Sequence, residues 1–148
     1  MNDEHTVEMS EDECWAELSA QEFGRLAHML GDELHLVPVN YAVEGRTLLF
    51  RTAEGSKLLG IVMNPQVVFE IDQYDEEHAM SVVVRGTARV LEEDEEHRAE
   101  TVPLRPWVAP PKYNVVEITP TRLSGRRFDL DRPPAPQGAP PLTGHRDG

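Results

Sequence analysis

One cysteine, Cys14, occurs in 148 residues. An intrachain disulfide is therefore impossible, and a cysteine-rich zinc site is excluded. Lysine is almost as scarce, with only Lys57 and Lys112. Basic residues number 14 against 27 acidic ones, a formal net charge of −13. A surface of that sign lacks the basic footprint that holds nucleic acid or anionic lipid, so neither is expected as a partner. No apolar run approaches the roughly 20 residues of a membrane-spanning helix. The amino terminus is acidic where a secretory signal would be basic and then apolar, and no Lys or Arg precedes Arg25. A cytoplasmic, reducing setting is expected from these features.

Local catalytic and metal-binding patterns are missing as well. No two of the histidines His5, His28, His35, His78, His97 and His145 stand two to four residues apart, so no local metal site is supported. No nucleophile elbow is found, and Gly55-Ser56-Lys57 lacks the residue order of a nucleotide-binding phosphate loop.

The length fits one domain that can bury about 70% of its unfolded surface without staples. Yet hydrophobic residues make up only 39%, with 12 prolines and 10 glycines. The ends carry much of that imbalance. Residues 1–10 read as a flexible acidic terminus. Residues 129–148, proline-rich and nearly free of apolar side chains, read as a flexible tail. The folded domain is expected over residues 11–128.

Ser10 and Glu13 have capping-box spacing, which predicts a helix with Cys14, Trp15 and Leu18 on its apolar face. A strand follows over Arg25 to Leu30, then a turn at Gly31-Asp32-Glu33. Leu34 to Val43 is extended, and Pro38 confines it to a sheet edge or a local break. Glu44-Gly45 reads as a hairpin turn into a strand ending at Thr52. Leu58 to Met63 fits a short helix stopped by Asn64-Pro65. Strands are expected over Val67–Ile71 and Met80–Leu91, and a polar helix over Glu93–Val102. Pro103 to Lys112 holds four prolines and Trp107 and reads as an irregular loop. Tyr113–Ile118 is a further strand, with Gly125–Phe128 closing the set. About six short strands with hairpin turns predict a small antiparallel barrel with accessory helices.

The informative stretch runs from Val37 to Leu59. A strand ending in Arg51-Thr52 turns through glycine into a helix that starts near Ser56 and Lys57. Two cations, two hydroxyls and the N–H groups of a helix start make a phosphate site. The competing reading pairs Arg51 and Lys57 with surface carboxylates, worth about 0–1 kcal/mol each.

Five short stretches carry a resemblance. They are Gly24-Arg25-Leu26, Pro38-Val39-Asn40-Tyr41, Phe50-Arg51-Thr52 followed by Gly55 and Lys57, Ser81 to Gly86, and Pro106-Trp107. In order and spacing the chain resembles the flavin-binding split-barrel family, the pyridoxamine 5′-phosphate oxidase-like proteins, over roughly Glu11 to Phe128. The resemblance implies a mainly β (α+β) fold, a six-stranded antiparallel split β-barrel with short accessory helices. It also implies a homodimer with FMN at the interface. The backbone of Val39 and Asn40 would lie against the isoalloxazine edge. Arg51 and Lys57 would hold the 5′-phosphate, with Thr52 and Ser56 donating hydroxyls, and Trp107 would cover the flavin. The implied activity is flavin-mediated redox of a small-molecule substrate. Relatives that oxidise pyridoxamine phosphate carry basic and aromatic substrate residues near the C-terminus; here a proline-rich tail stands instead, so that substrate is not expected. Two alternatives stay open: a flavin-binding or sensing module without turnover, and a split barrel that binds deazaflavin.

Overall fold

Two glycines set the hairpins of the first half of the chain. Gly31 and Gly45 both have φ of 64°, a left-handed conformation that glycine adopts without a Cβ penalty. Gly31 joins β2 (Phe23–Leu30) to β3 (Glu33–Asn40), and Gly45 joins β4 (Ala42–Glu44) to β5 (Thr47–Thr52). The computed structural model describes residues 6–53, 55–104 and 114–130, without the side chain of Ser56. Its remaining strands are β1 (Thr6–Glu8), β6 (Gln66–Tyr74), β7 (His78–Val90) and β8 (Asn114–Asp129). All pairings are antiparallel, and the order is β3-β2-β6-β7-β8-β5-β4, with β1 added on β8. The sheet curls into the half-barrel expected from the sequence, with eight strands where six were expected. β3 pairs with β2 alone among the described residues, so Pro38 stands on an edge, where its missing N–H breaks no ladder.

Helix α1 (Glu11–Ala20) starts as predicted. Glu13 N donates to Ser10 Oγ at 3.1 Å, and Ser10 N donates to Glu13 Oε1 at 2.8 Å. Its buried Cys14, Trp15 and Leu18 join the barrel core, which also holds Leu26, Phe50, Phe69, Val82, Val84 and Ile118. A second cluster, Ala42, Leu49, Leu91, Ala99, Leu104 and Val115, lies on the other side of β5. β5 is thus a wall between two apolar layers: Leu48 and Phe50 face one, Leu49 the other.

Three expectations need correction. Thr6–Glu8, read as part of a flexible terminus, form β1 against Arg126–Phe128 of β8. Three residues carry no readable period, and only the partner strand defines them. Asn114–Asp129 is one 16-residue strand, where Tyr113–Ile118 and Gly125–Phe128 were expected as two pieces. Pro120 stands opposite Gly86, where the register shifts after Arg85. A Cβ on Gly86 would meet Thr119 O at 2.4 Å, so glycine lets the two backbones close around the irregularity. Finally, Glu93–Thr101 is a 3₁₀ helix in place of a regular helix. Ala99 is its one buried residue, so ion pairs dock it instead of an apolar face. Arg98 bonds Glu44 at 2.7 Å and Glu117 at 2.5 Å, and Arg89 joins Glu117 to Glu95.

Candidate functional site

Helix α2 (Ser56–Met63) begins at Gly55, and Leu59 N closes its first turn on Gly55 O at 3.0 Å. It packs on β2 at Gly60. A Cβ there would meet Met29 O at 2.4 Å and His28 Nδ1 at 3.1 Å, so glycine sets how closely the helix approaches the strand. This contact seats Lys57 at the rim of the barrel, with Nζ 5.6 Å from the centre of the Phe50 ring. Lys57 is half-buried. Desolvation lowers its pKa, and no carboxylate offsets that effect. Among the described residues Lys57 makes no ion pair, although the chain carries a net charge of −13.

Arg51 stands elsewhere. It alternates with Phe50, so strand geometry sends it to the opposite face of β5. Its Nη1 donates to Leu104 O at 2.9 Å, beside the second apolar cluster. The structure therefore does not bring Arg51 and Lys57 into one cation pair, contrary to the sequence expectation. Thr52 is buried, and its hydroxyl donates to Ala53 O at 3.2 Å. Thr52 is also the register partner of Asn114. Leu104 and Asn114, the two described residues that flank 105–113, are thus both anchored at the end of β5. Trp107 and the Ser56 side chain lie outside the described residues.

Val39 is buried on β3 opposite Gly24. Asn40 Nδ2 donates to Glu22 O at 3.2 Å. Tyr41, next in the chain, is a packing residue: its hydroxyl donates to Leu18 O at 2.6 Å, and its ring meets Phe69 edge-on.

Sequence reasoning missed His28. It is only 2% exposed, and neither ring nitrogen has a hydrogen-bond partner. Its ring stacks on His35 at 5.4 Å, its cross-strand neighbour. Burial first, then the nearby His35 and Lys57 charges, push its pKa below the usual histidine value. The folded state therefore binds fewer protons here than the unfolded chain, so stability falls as pH drops below about 6.5. Glu70 acts with the opposite sign. Burial and Asp72 raise its pKa to about 7, so its contribution is lost as pH rises from the ordinary carboxylate range toward 7. A difference curve separates the two. The melting temperature of His28→Leu minus that of the parent should climb as pH falls from 7 to 5. A flat difference would show that His28 is not buried neutral.

A family model described as pyridoxamine 5′-phosphate oxidase matches residues 10–127. The chain belongs to this family. Among its relatives is an uncharacterised protein of Mycobacterium tuberculosis, 44% identical over 87 residues, which are 58% of this chain and 79% of that one. A Corynebacterium glutamicum structure, provisionally assigned as a pyridoxamine 5′-phosphate oxidase, superposes with TM-score 0.76 at 34% identity. That match covers 89% of this chain and 99% of the other. The FAD binding protein of Mycobacterium smegmatis superposes with TM-score 0.73 at 40% identity, over 84% of this chain and 100% of its own. A half-buried lysine at a helix start could hold the phosphate of a nucleotide cofactor: the cation is desolvated and makes no ion pair among the described residues.

Proposed function

We propose that the chain binds FMN, with the 5′-phosphate at Lys57 and the opening N–H groups of α2, and uses it for redox of a small molecule. Lys57 is the observation that carries this reading. An ammonium group that is half-buried and makes no ion pair among the described residues destabilises the empty fold, and an arriving anion offsets that penalty. The edge position of β3 leaves one side of its backbone for the amide-like edge of a flavin ring, next to Val39 and Asn40. In this reading Arg51 anchors Leu104 instead of holding the phosphate. The flavin supplies hydride and electron transfer. The chain supplies position and a charged clamp, and no side-chain acid or base is assigned. The FAD-binding relative at 40% identity supports a flavin as the class of cofactor. A single cation at α2 favours one phosphate, hence the mononucleotide. We place the cofactor at a homodimer interface in the cytoplasm.

The test is an absorption spectrum of freshly purified protein, with mass identification of the released chromophore. Flavin bands and a mass of FMN are expected. A colourless protein that takes up neither FMN nor FAD would overturn the reading, and a released deazaflavin would replace it. Oxidation of NAD(P)H by the loaded protein separates an enzyme from a storage module. A single-subunit mass with flavin bound would remove the interface placement.

A further inference from the structure

The core side of the sheet stays open at one end. Register places Gln73, Met80, Arg127 and Val7 in one row across β6, β7, β8 and β1. Side chains opposite each other across a ladder share a face, and Met80 belongs to the barrel core, so the row faces the core side. Ser81 and Val83 alternate with the core residues Met80, Val82 and Val84, so they lie on the other face of β7. A groove of ≈ 610 Å³ runs along the row, with Tyr74 and Phe128 also in its wall. Its charged groups have partners within the fold. Arg127 is held by Glu13 and Glu17 of α1 at 3.5 and 3.0 Å, and His78 lies 3.8 Å from Asp75 and 3.7 Å from Asp129. Its apolar wall stays in solvent: Val7 is 63% exposed and Tyr74 74%.

The chain itself supplies an occupant of the matching chemistry. β8 ends at Asp129, opposite His78, and Leu130 N donates to Glu77 O at 2.8 Å, so residue 131 leaves from the end of this same groove. The sequence that follows includes Pro133–Leu142, PPAPQGAPPL, ten residues with five prolines and no charged side chain in a protein of net charge −13. An uncharged segment meets no repulsion from the acidic surface. Reversing the chain takes about four residues. Residues 134–142, at about 3.1 Å each when extended as polyproline II, then span about 28 Å. The row crosses four strands, about 14 Å at the usual strand spacing, so the reach suffices. Prolines lack the N–H needed to extend the ladder beside β1, but their rings and free carbonyls suit a groove walled by aromatic side chains. The Tyr74 hydroxyl makes no hydrogen bond among the described residues, and so remains a donor for such a carbonyl.

We infer that residues 133–142 of the same chain dock in the groove formed by Val7, Tyr74, Met80 and Phe128, and cover the open end of the core side. The segment reverses after Leu130 and lies across β8, β7 and β6. Its prolines and Leu142 cover the apolar wall that α1 leaves in solvent. The inference uses neither Lys57 nor a cofactor, so it stands apart from the flavin reading.

Nuclear magnetic resonance of the full chain with a nitroxide attached through Ala139→Cys tests it; Cys14 is buried and stays unlabelled. The amide signals of Val7, Ala79, Met80 and Asp129 should broaden, while those of Leu34 and Leu36, on the far strand of the sheet, should stay sharp. In a mixture, isotope-labelled chain without nitroxide should stay sharp beside nitroxide-bearing chain without isotope, because the contact is within one molecule. Chymotrypsin gives a second readout. Cleavage after Leu142 follows the population of the undocked segment, so the variant Val7→Asp, Tyr74→Ser should release residues 143–148 at least about tenfold faster than the parent. An amide spectrum unchanged outside the groove shows that this variant folds; if it does not fold, the broadening in the nitroxide-labelled chain decides alone. Sharp groove signals, broadening in the mixture (a second copy's segment in the groove), or equal release from parent and folded variant would each overturn the proposal.

Discussion

A Lys57→Glu chain is expected to purify colourless beside a yellow parent. The substitution replaces the one cation at the start of α2 with a group that repels phosphate, in a site screened from bulk water. A hydrogen bond to a charged group contributes about 1.5–3 kcal/mol. Losing it and adding repulsion should weaken FMN by more than about a hundredfold. Lys57→Met supplies the control. It removes the charge and keeps the stem over Phe50, so flavin affinity should fall while the flavin-free protein melts higher than the parent. The sign change between free and loaded protein distinguishes a ligand-holding lysine from a surface one. If Lys57→Glu retains flavin as well as the parent, the phosphate lies elsewhere.

A Glu117→Ala chain should lose about 3 kcal/mol of stability, in the range measured when one member of a buried ion pair is removed. Glu117 is 5% exposed and accepts from Arg89 Nε at 2.9 Å and from Arg98 Nη2 at 2.5 Å. These two arginines tie the Glu93–Thr101 segment to Glu44 and to β8. Without the carboxylate the segment keeps Ala99 and the Arg98–Glu44 and Arg89–Glu95 pairs, while both guanidinium groups lose their shared buried acceptor. For a domain of this size, thermal melting should drop by about 10 °C. A drop under about 2 °C would mean that the cations find water or Glu44 and Glu95 equally well, and that the network adds little.

How much of this could be read in the sequence depended on how local each rule is. The start of α1 was legible because Ser10 and Glu13 satisfy each other within one turn. The hairpins at Gly31 and Gly45 were legible for the same reason. The continuity of β8 was not legible, because it depends on Gly86, more than thirty residues away in the chain, which lets the backbones close around the irregularity at Pro120. Within the candidate site, Lys57 was legible as a cation at the start of α2, because Gly55 marks that start in the chain. Arg51 was grouped with it by proximity along the chain, although alternation along β5 already separates Phe50 from Arg51. His28 was passed over because its neighbour His35 is seven residues on; the turn at Gly31-Asp32 sets those two positions opposite each other and was the available signal.

β8 pairs with β7, β5 and β1, and so joins the last described strand to the first. That topology sets an order of events in folding. The β2–β3 and β4–β5 hairpins can form as soon as each leaves the ribosome, because their partners are adjacent in sequence. Neither β5 nor β1 can be completed until residues 114–129 have been synthesised. During translation β7 presents a 13-residue edge with no partner on one side, the kind of strand edge that recruits other chains. Slow, late closure on β8 is the expected rate-limiting step, and the nascent chain is most exposed to misassembly just before that strand emerges.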